Sequence, residues 1–274
     1  ELEQSAFCQA EPLETKSLAE EFSSGARWQR LPDTYTQMSP EELTTRIEAN
    51  KTELGNRAVI LGHHYQREDI IQFANFRGDS LKLSQYAAEQ RAPEFIVFCG
   101  VHFMAETAAV LGGRNQKVVL PNMNAGCSMA DMAPTDDAQD CWDDLMSVLG
   151  TGSVVPVTYM NSTAEIKALV GENGGAVCTS SNADKVVQWA FQQGKRVLFL
   201  PDQHLGRNTG IKLGIPVDEM VLWNPFQLLG GNTPAALERS KMILWKGHCS
   251  VHTRFTPEQV ERARYEYPDV NILV

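Results

Sequence analysis

Short apolar runs punctuate the chain at AVILGHH (58–64), EFIVFCG (94–100), KVVLPN (117–122) and SVVPVTYM (153–160). They continue at GAVCTS (175–180), RVLFLPD (196–202), KMILWKG (241–247) and NILV (271–274). Between many of them lie segments with helical spacing, among them LKLSQYAAEQR, TAAVLG and ADKVVQWAFQQG. Continuous Val/Ile/Leu runs alternating with helices predict parallel strands buried on both faces. The expected class is therefore α/β, built from repeated three-layer αβα units with parallel sheets.

The pattern also sets boundaries. Residues 1–38 are polar and weakly periodic and read as a flexible leader with at most one short helix. Order is expected from Ser39-Pro40-Glu41-Glu42, where Ser39 suits an N-cap, Pro40 the first helical position and Glu42 a capping box. That helix should run to about Leu54, inside a first unit over 39–130. A helical linker over 131–150 follows, capped by Thr135 and carrying an apolar stripe of Trp142, Leu145, Met146 and Leu149. The second unit covers 151–270. Its stretch 208–240 is rich in Gly, Pro and Asn and reads as a long loop with a short helix, a surface insertion. NILV (271–274) reads as the first strand of a third unit that the chain does not carry.

Composition narrows the function. The 274 residues are 43% hydrophobic and 21% charged, with a formal net charge of −10. An acidic surface repels phosphate backbones, which argues against nucleic-acid partners. No apolar run reaches membrane-spanning length. The first residues lack the basic start and apolar block of a signal peptide, and six scattered cysteines suit a reducing compartment, so the expected location is the cytoplasm.

The cysteines separate by context. Cys99 and Cys178 sit inside strand-like runs and read as small core residues. Cys8 falls in the leader and Cys141 beside Trp142 on the linker helix, neither with metal-like company. Cys127 and Cys249 each follow a strand in a loop, and no CxxC pair is present. Spacing alone leaves ligand and inert thiol equally open for these two.

Ligands of parallel α/β sheets bind at the carboxyl ends of strands. Those ends are polar here: His63-His64-Tyr65, Gly78-Asp79-Ser80, Asn161-Ser162-Thr163, Ser180-Ser181-Asn182, Gln203-His204 and His248-Cys249-Ser250-Val251-His252. Singly, each Ser or Asn is better explained as a helix cap. Ser162 with Glu165 forms a capping box, and Ser181 can cap the next helix. Their number on one edge, with helix N-termini that attract anions, points instead to a pocket for a small, multiply anionic substrate.

The blocks ILGHHYQ, GDSLKLS, GVHFMAETAAVL, PNMNAGCSMADM, VTYMNSTAEIKA, VCTSSNA, FLPDQHLGRNT, WKGHCSVH and YPDVNILV occur in this order. On them the chain resembles quinolinate synthase from about residue 39 to its end. The resemblance implies three pseudo-symmetric αβα units around a central site. It also implies a [4Fe–4S] cluster held by one cysteine from each unit, with one iron left open to act as a Lewis acid. The implied reaction is condensation of iminoaspartate (iminosuccinate) with dihydroxyacetone phosphate to quinolinate, in NAD biosynthesis, with a functional link to the enzyme that supplies iminoaspartate. Carried over, Cys127 and Cys249 are two cluster ligands, and the third falls outside this chain. His63, Tyr65 and Tyr159 become the proton-transfer residues. His63, Ser80, Tyr159, Asn161, Ser180 and His252 become the substrate-binding residues. The resemblance further implies that this length of chain alone is inactive. Two other readings compete: a zinc hydrolase using His63, His64, His204 and His252, and a non-catalytic α/β module that binds an anionic metabolite.

Overall fold

The computed structural model describes residues 32–272. The leader up to residue 31, Cys8 and the last two residues of NILV lie outside them; Asn271 and Ile272 carry no strand pairing. The first long helix, α1 (Pro40–Leu54), begins at the expected capping box. The Ser39 side chain accepts the Glu42 amide and the Glu42 carboxylate accepts the Ser39 amide.

The first sheet then builds from β1 (Ala58–His63), β2 (Phe76–Gly78), α2 (Ser80–Glu89), β3 (Phe95–Cys99), α3 (His102–Leu111) and β4 (Lys117–Val119). Helix α4 (Thr135–Leu149) leads to the second sheet. That sheet comprises β5 (Val154–Tyr159), α5 (Ala164–Glu172), β6 (Ala176–Cys178), α6 (Ala183–Gln193), β7 (Arg196–Leu200), α7 (Gln203–Lys212), β8 (Met220–Trp223), α8 (Pro234–Arg239) and β9 (Met242–Trp245). A last helix, α9 (Pro257–Glu266), is exposed along its length.

All pairings are parallel, and the strand orders are β2-β1-β3-β4 and β6-β5-β7-β9-β8. The two sheets thus share one topology over four strands, and β8 is an extra edge strand of the second. The α/β class expected from the alternation is the class observed.

The interior strands of the second sheet bury both faces. Along β7, Val197 and Phe199 pack with Val187 and Ala190 of α6, while Leu198 and Leu200 face Cys141 and Leu145 of α4 and Ile166 of α5. This period-two partition gives the second sheet a helical layer on each side. In the first sheet Leu61, Ile96 and Phe98 pack with Leu83 and Ala87 of α2 and with Phe103 and Ala108 of α3. Tyr159 and Met160 of the second unit join that same cluster, so the two units share apolar contact at the end of β5.

Four local expectations are corrected. The segment 208–240, expected as a loop with a short helix, holds the end of α7, the edge strand β8 and α8. Gly210 in this segment, with Gly206 just before it, lets α7 approach the sheet. A Cβ at Gly210 would lie 2.5 Å from Met220 Cε and 2.7 Å from Met242 Sδ. Thr135 does not cap α4; its hydroxyl donates to Glu165 and Pro134 holds the cap position. The cap of α5 is Thr163, not Ser162: Ser162 is buried and bonded to Thr158 and to the Tyr159 carbonyl. Ser181 does not cap α6 either, since Asn182 stands there and Ser181 Oγ meets Thr179 Oγ1. The Ser162 and Ser181 misses are slips of one residue among neighbouring hydroxyl and amide side chains.

Candidate active site

The shared topology places the candidate residues in matching positions. His63 ends β1 and Tyr159 ends its counterpart β5. Ser80 follows β2 and Ser180 follows β6. Cys127 lies in the loop after β4 and Cys249 in the loop after β9.

In the first unit, His63 pairs with Gly78 of β2 and is buried. Its Nδ1 accepts the Tyr65 amide at 3.3 Å, and the two rings meet edge-on with centroids 4.5 Å apart. Burial and then the neighbouring His64 push the His63 pKa down to about 4, against a smaller opposing pull from Asp79. The imidazole is neutral at pH 7, and an acceptor at Nδ1 puts its proton on Nε2. Tyr65 stands 81% exposed. Ser80 opens α2 behind its cap Asp79, whose carboxylate accepts the Lys82 amide.

In the second unit, Tyr159 pairs with Cys178 in the sheet, and its phenol is hydrogen-bonded by Ser180. Burial dominates and raises the phenol to about 12 despite that bond, with Asp202, Cys178 and Tyr65 adding to the rise. Tyr159 also packs against the apolar core of the first unit, which brings the end of β5 to that unit. A pocket of about 390 Å³ opens beside Tyr159, lined also by Ser180, Asp202, His204, Asn208, Cys249 and His252. Asp202 is buried and caps α7 by accepting the His204 and Leu205 amides. Burial lowers the pKa of His204, Asp202 opposes this, and Arg207 and His248 reinforce it. The chain ahead of α7 packs tightly on the segment after β9: the Gln203 amide donates to the Gly247 carbonyl at 3.0 Å, and a Cβ on Gly247 would lie 2.1 Å from the Pro201 carbonyl oxygen.

The loops that carry the two thiols meet between the units. Ser128 Oγ and Ser250 Oγ are 3.3 Å apart, so the residues next to Cys127 and Cys249 touch. Both thiols are half-buried and free. Burial pushes the Cys127 thiol up, the Ala130 and Met129 amides pull it down, and Cys249 and then Asp131 push it up again. A cationic centre held between these loops would offset that rise and favour the Cys127 thiolate. The donor set fits two ligands of an iron–sulfur cluster. Among the described residues no group of three or more His, Cys, Asp or Glu gathers around one point. Cys99 stands in β3, Cys178 is buried in β6, and Cys141 is buried on α4.

The structure therefore brings Tyr159, Ser180, Cys249 and His252 into one pocket, sets Tyr65 and His63 beside each other near Tyr159, and brings Cys127 to Cys249. Ser80 and Asn161 are not among the residues lining that pocket. His63 and His64 are neighbours, with ring centroids 4.7 Å apart, whereas His204 and His252 line the pocket, so the four histidines of the zinc alternative do not form one cluster. Asp202, Leu205, Asn208 and Thr253 also line the pocket and escaped the sequence reading. Asp202 carried a usable signal, an acid directly after a buried strand run. Asn208 carried none, because it lies one turn into a helix read as loop. No helix among the described residues is long and apolar enough to cross a membrane.

Comparison with known proteins identifies the family. A family model described as quinolinate synthetase A protein matches residues 45–274. Quinolinate synthase of Corynebacterium glutamicum is 57% identical over 248 residues, covering 90% of this chain and 63% of that protein. The quinolinate synthases of Acidobacterium capsulatum and Halalkalibacterium halodurans are 54% and 52% identical, over 88% and 92% of this chain and 65% and 68% of theirs. The chain thus spans about two thirds of the length of these curated relatives, and on this match it belongs to the quinolinate synthetase A family.

Proposed function

We propose that the protein to which this chain belongs condenses iminoaspartate with dihydroxyacetone phosphate to quinolinate, in the biosynthesis of NAD. The observation that carries this reading is the meeting of the two cysteine loops, through Ser128 and Ser250 next to Cys127 and Cys249, beside a pocket lined by Cys249, Tyr159 and Ser180. Cys127 and Cys249 would hold a [4Fe–4S] cluster, with a third thiolate from outside the described residues. Bound there, the cluster supplies an open iron that polarises a substrate oxygen.

The chain's own groups do the rest. Tyr159, held protonated by burial, offers a hydrogen bond and yields a proton only to a strong base formed during the reaction. His63, held neutral with its proton on Nε2, serves as a donor at the end of β1, and exposed Tyr65 beside it reaches toward Tyr159. Ser180 and His252 line the pocket as polar contacts for a carboxylate or phosphate, and Ser80 and Asn161 are assigned the same role at the neighbouring strand ends. Nucleic acid and membrane are not partners in this reading, and the enzyme that supplies iminoaspartate is a functional one. The site lies in the cytoplasm, where thiols stay reduced.

Anaerobic reconstitution with iron and sulfide tests the reading, on the complete protein and on the 274-residue chain. The complete protein should hold a full cluster and form quinolinate. The 274-residue chain should hold little iron and form none. A complete protein that carries zinc in place of iron and sulfide, or that binds dicarboxylates without turnover, would overturn the assignment.

A further inference from the structure

Helix α5 follows the Tyr159 strand, and its N-terminus would ordinarily be free to attract an anion. Here it is already filled from the other unit. Glu106, on α3 of the first unit, accepts the Ala164 amide at 2.8 Å through one carboxylate oxygen. Its other oxygen lies 3.3 Å from His102 Nδ1. Thr163 covers the Ile166 amide from within the second unit, so the carboxylate completes a cap that the second unit only half supplies.

Contacts continue from Glu106 in both directions. Toward the first unit, the His102 amide donates to the Ala125 carbonyl at 2.7 Å, which ties the start of α3 to the loop that carries Cys127. Toward the second unit, Lys167 is largely withdrawn from water. Its Nζ donates to the Ser162 carbonyl and lies 5.4 Å from the centre of the Phe103 ring. Burial lowers the Lys167 pKa to about 8, and Glu106 opposes that fall. Ser162 Oγ in turn donates to the Tyr159 carbonyl at 2.9 Å and accepts from Thr158. Polar contacts therefore run from the Cys127 loop through His102 and Glu106 to Ala164, and three residues along α5 Lys167 holds the Ser162 carbonyl just past the end of β5.

We propose that Glu106 and Lys167 are positioning residues that set the Cys127 loop of one unit against the Tyr159 strand end of the other. They touch no substrate in this arrangement. They act through Ala125 and Ser162 on the two elements that the proposed reaction needs side by side. The proposal deepens the proposed function, but the geometry it asserts exists without cluster or substrate. It is therefore tested on the metal-free chain, independently of turnover.

The variants are Glu106→Gln, Glu106→Ala and Lys167→Met, with Lys167→Arg as the conservative control. Two readouts are used: hydrogen exchange resolved by peptide, and the yield of a short bismaleimide cross-link between Cys127 and Cys249, mapped by mass spectrometry. In Glu106→Ala and Lys167→Met, exchange should rise about tenfold in both 123–130 and 159–166, the size expected when one net hydrogen bond is lost. β3 and β7 should keep their protection, and the cross-link yield should fall. Glu106→Gln, which keeps one acceptor, and Lys167→Arg should lie between these variants and the parent. Exchange that rises around 164–166 alone, with an unchanged cross-link, would show an ordinary helix cap and overturn the proposal. Uniform exchange across both sheets would also overturn it, as a general loss of stability. Should Glu106→Ala fail to fold, Glu106→Gln and Lys167→Met carry the same test.

Discussion

Neutral, buried His63 makes the stability of the first unit depend on pH. Its pKa is 6.5 when exposed and about 4 in the fold. Above pH 6.5 neither state is protonated and the group contributes nothing. As pH falls below 6.5 the unfolded chain takes a proton that the folded chain refuses, so stability declines until about pH 4. At pH 5 the linked loss is about 2 kcal/mol relative to pH 7.5, at 1.36 kcal/mol for each pH unit of mismatch. His204 shifts in the same direction, so the pH profile of the parent alone does not isolate His63. The informative quantity is the difference between the parent and His63→Asn, which keeps an acceptor near the Tyr65 amide but does not titrate. Urea unfolding of the metal-free chain by far-ultraviolet circular dichroism, with hydrogen exchange over β1 as the local probe, measures it at pH 7.5 and 5.0. The variant should lose about 2 kcal/mol less than the parent across that interval. Equal losses would show that His63 is protonated in the fold, and the assignment of a neutral donor at the end of β1 would fall with it.

Gly247→Ala should destabilise the second unit by roughly 1–3 kcal/mol, because the new methyl would sit 2.1 Å from the Pro201 carbonyl oxygen; the thermal unfolding midpoint reads it. Tyr159→Phe in the complete protein should slow quinolinate formation by roughly 10²–10⁴-fold with iron content unchanged, and a variant of near-parental rate would remove the phenol from proton transfer. Cys127→Ser and Cys249→Ser should each lose iron and sulfide after anaerobic reconstitution, whereas Cys141→Ser, in the core between α4 and the second sheet, should retain them; a normal cluster in Cys127→Ser would sink the ligand assignment.

The interior of the fold was legible because it is written twice over. β5, β7 and β9 are buried on both faces, and β1 and β3 alternate buried with half-buried apolar positions, so each shows as an apolar run. The edge strands β4 and β6 also showed as short apolar runs, but the edge strands β2 and β8 did not. β2 is Phe-Arg-Gly, with an exposed Arg77, and pairs on one side only. β8 is a short Met-Val-Leu-Trp run inside a segment whose glycines signal turns, yet Gly210 is there to let a helix lie close to the sheet. A strand this short stands out only where its neighbours do not signal a turn.

The candidate site was legible for a related reason and illegible for another. Residues at the ends of interior strands follow a recognisable run, so His63, Tyr159 and the two loop cysteines could be singled out by position. What joins them could not. Ser128 and Ser250 are 122 residues apart, and Glu106 and Ala164 are 58 apart. Local pattern carries no trace of either pairing. The repeated topology supplies the missing link: two sheets of the same strand order set corresponding residues at corresponding strand ends. His63 then answers to Tyr159, Ser80 to Ser180 and Cys127 to Cys249. In the proposed reaction each unit would provide one thiol and one strand-end aromatic. The chemistry would then stand at the contact between units, and a side chain that fixes that contact, as proposed for Glu106, would bear on the site without entering it.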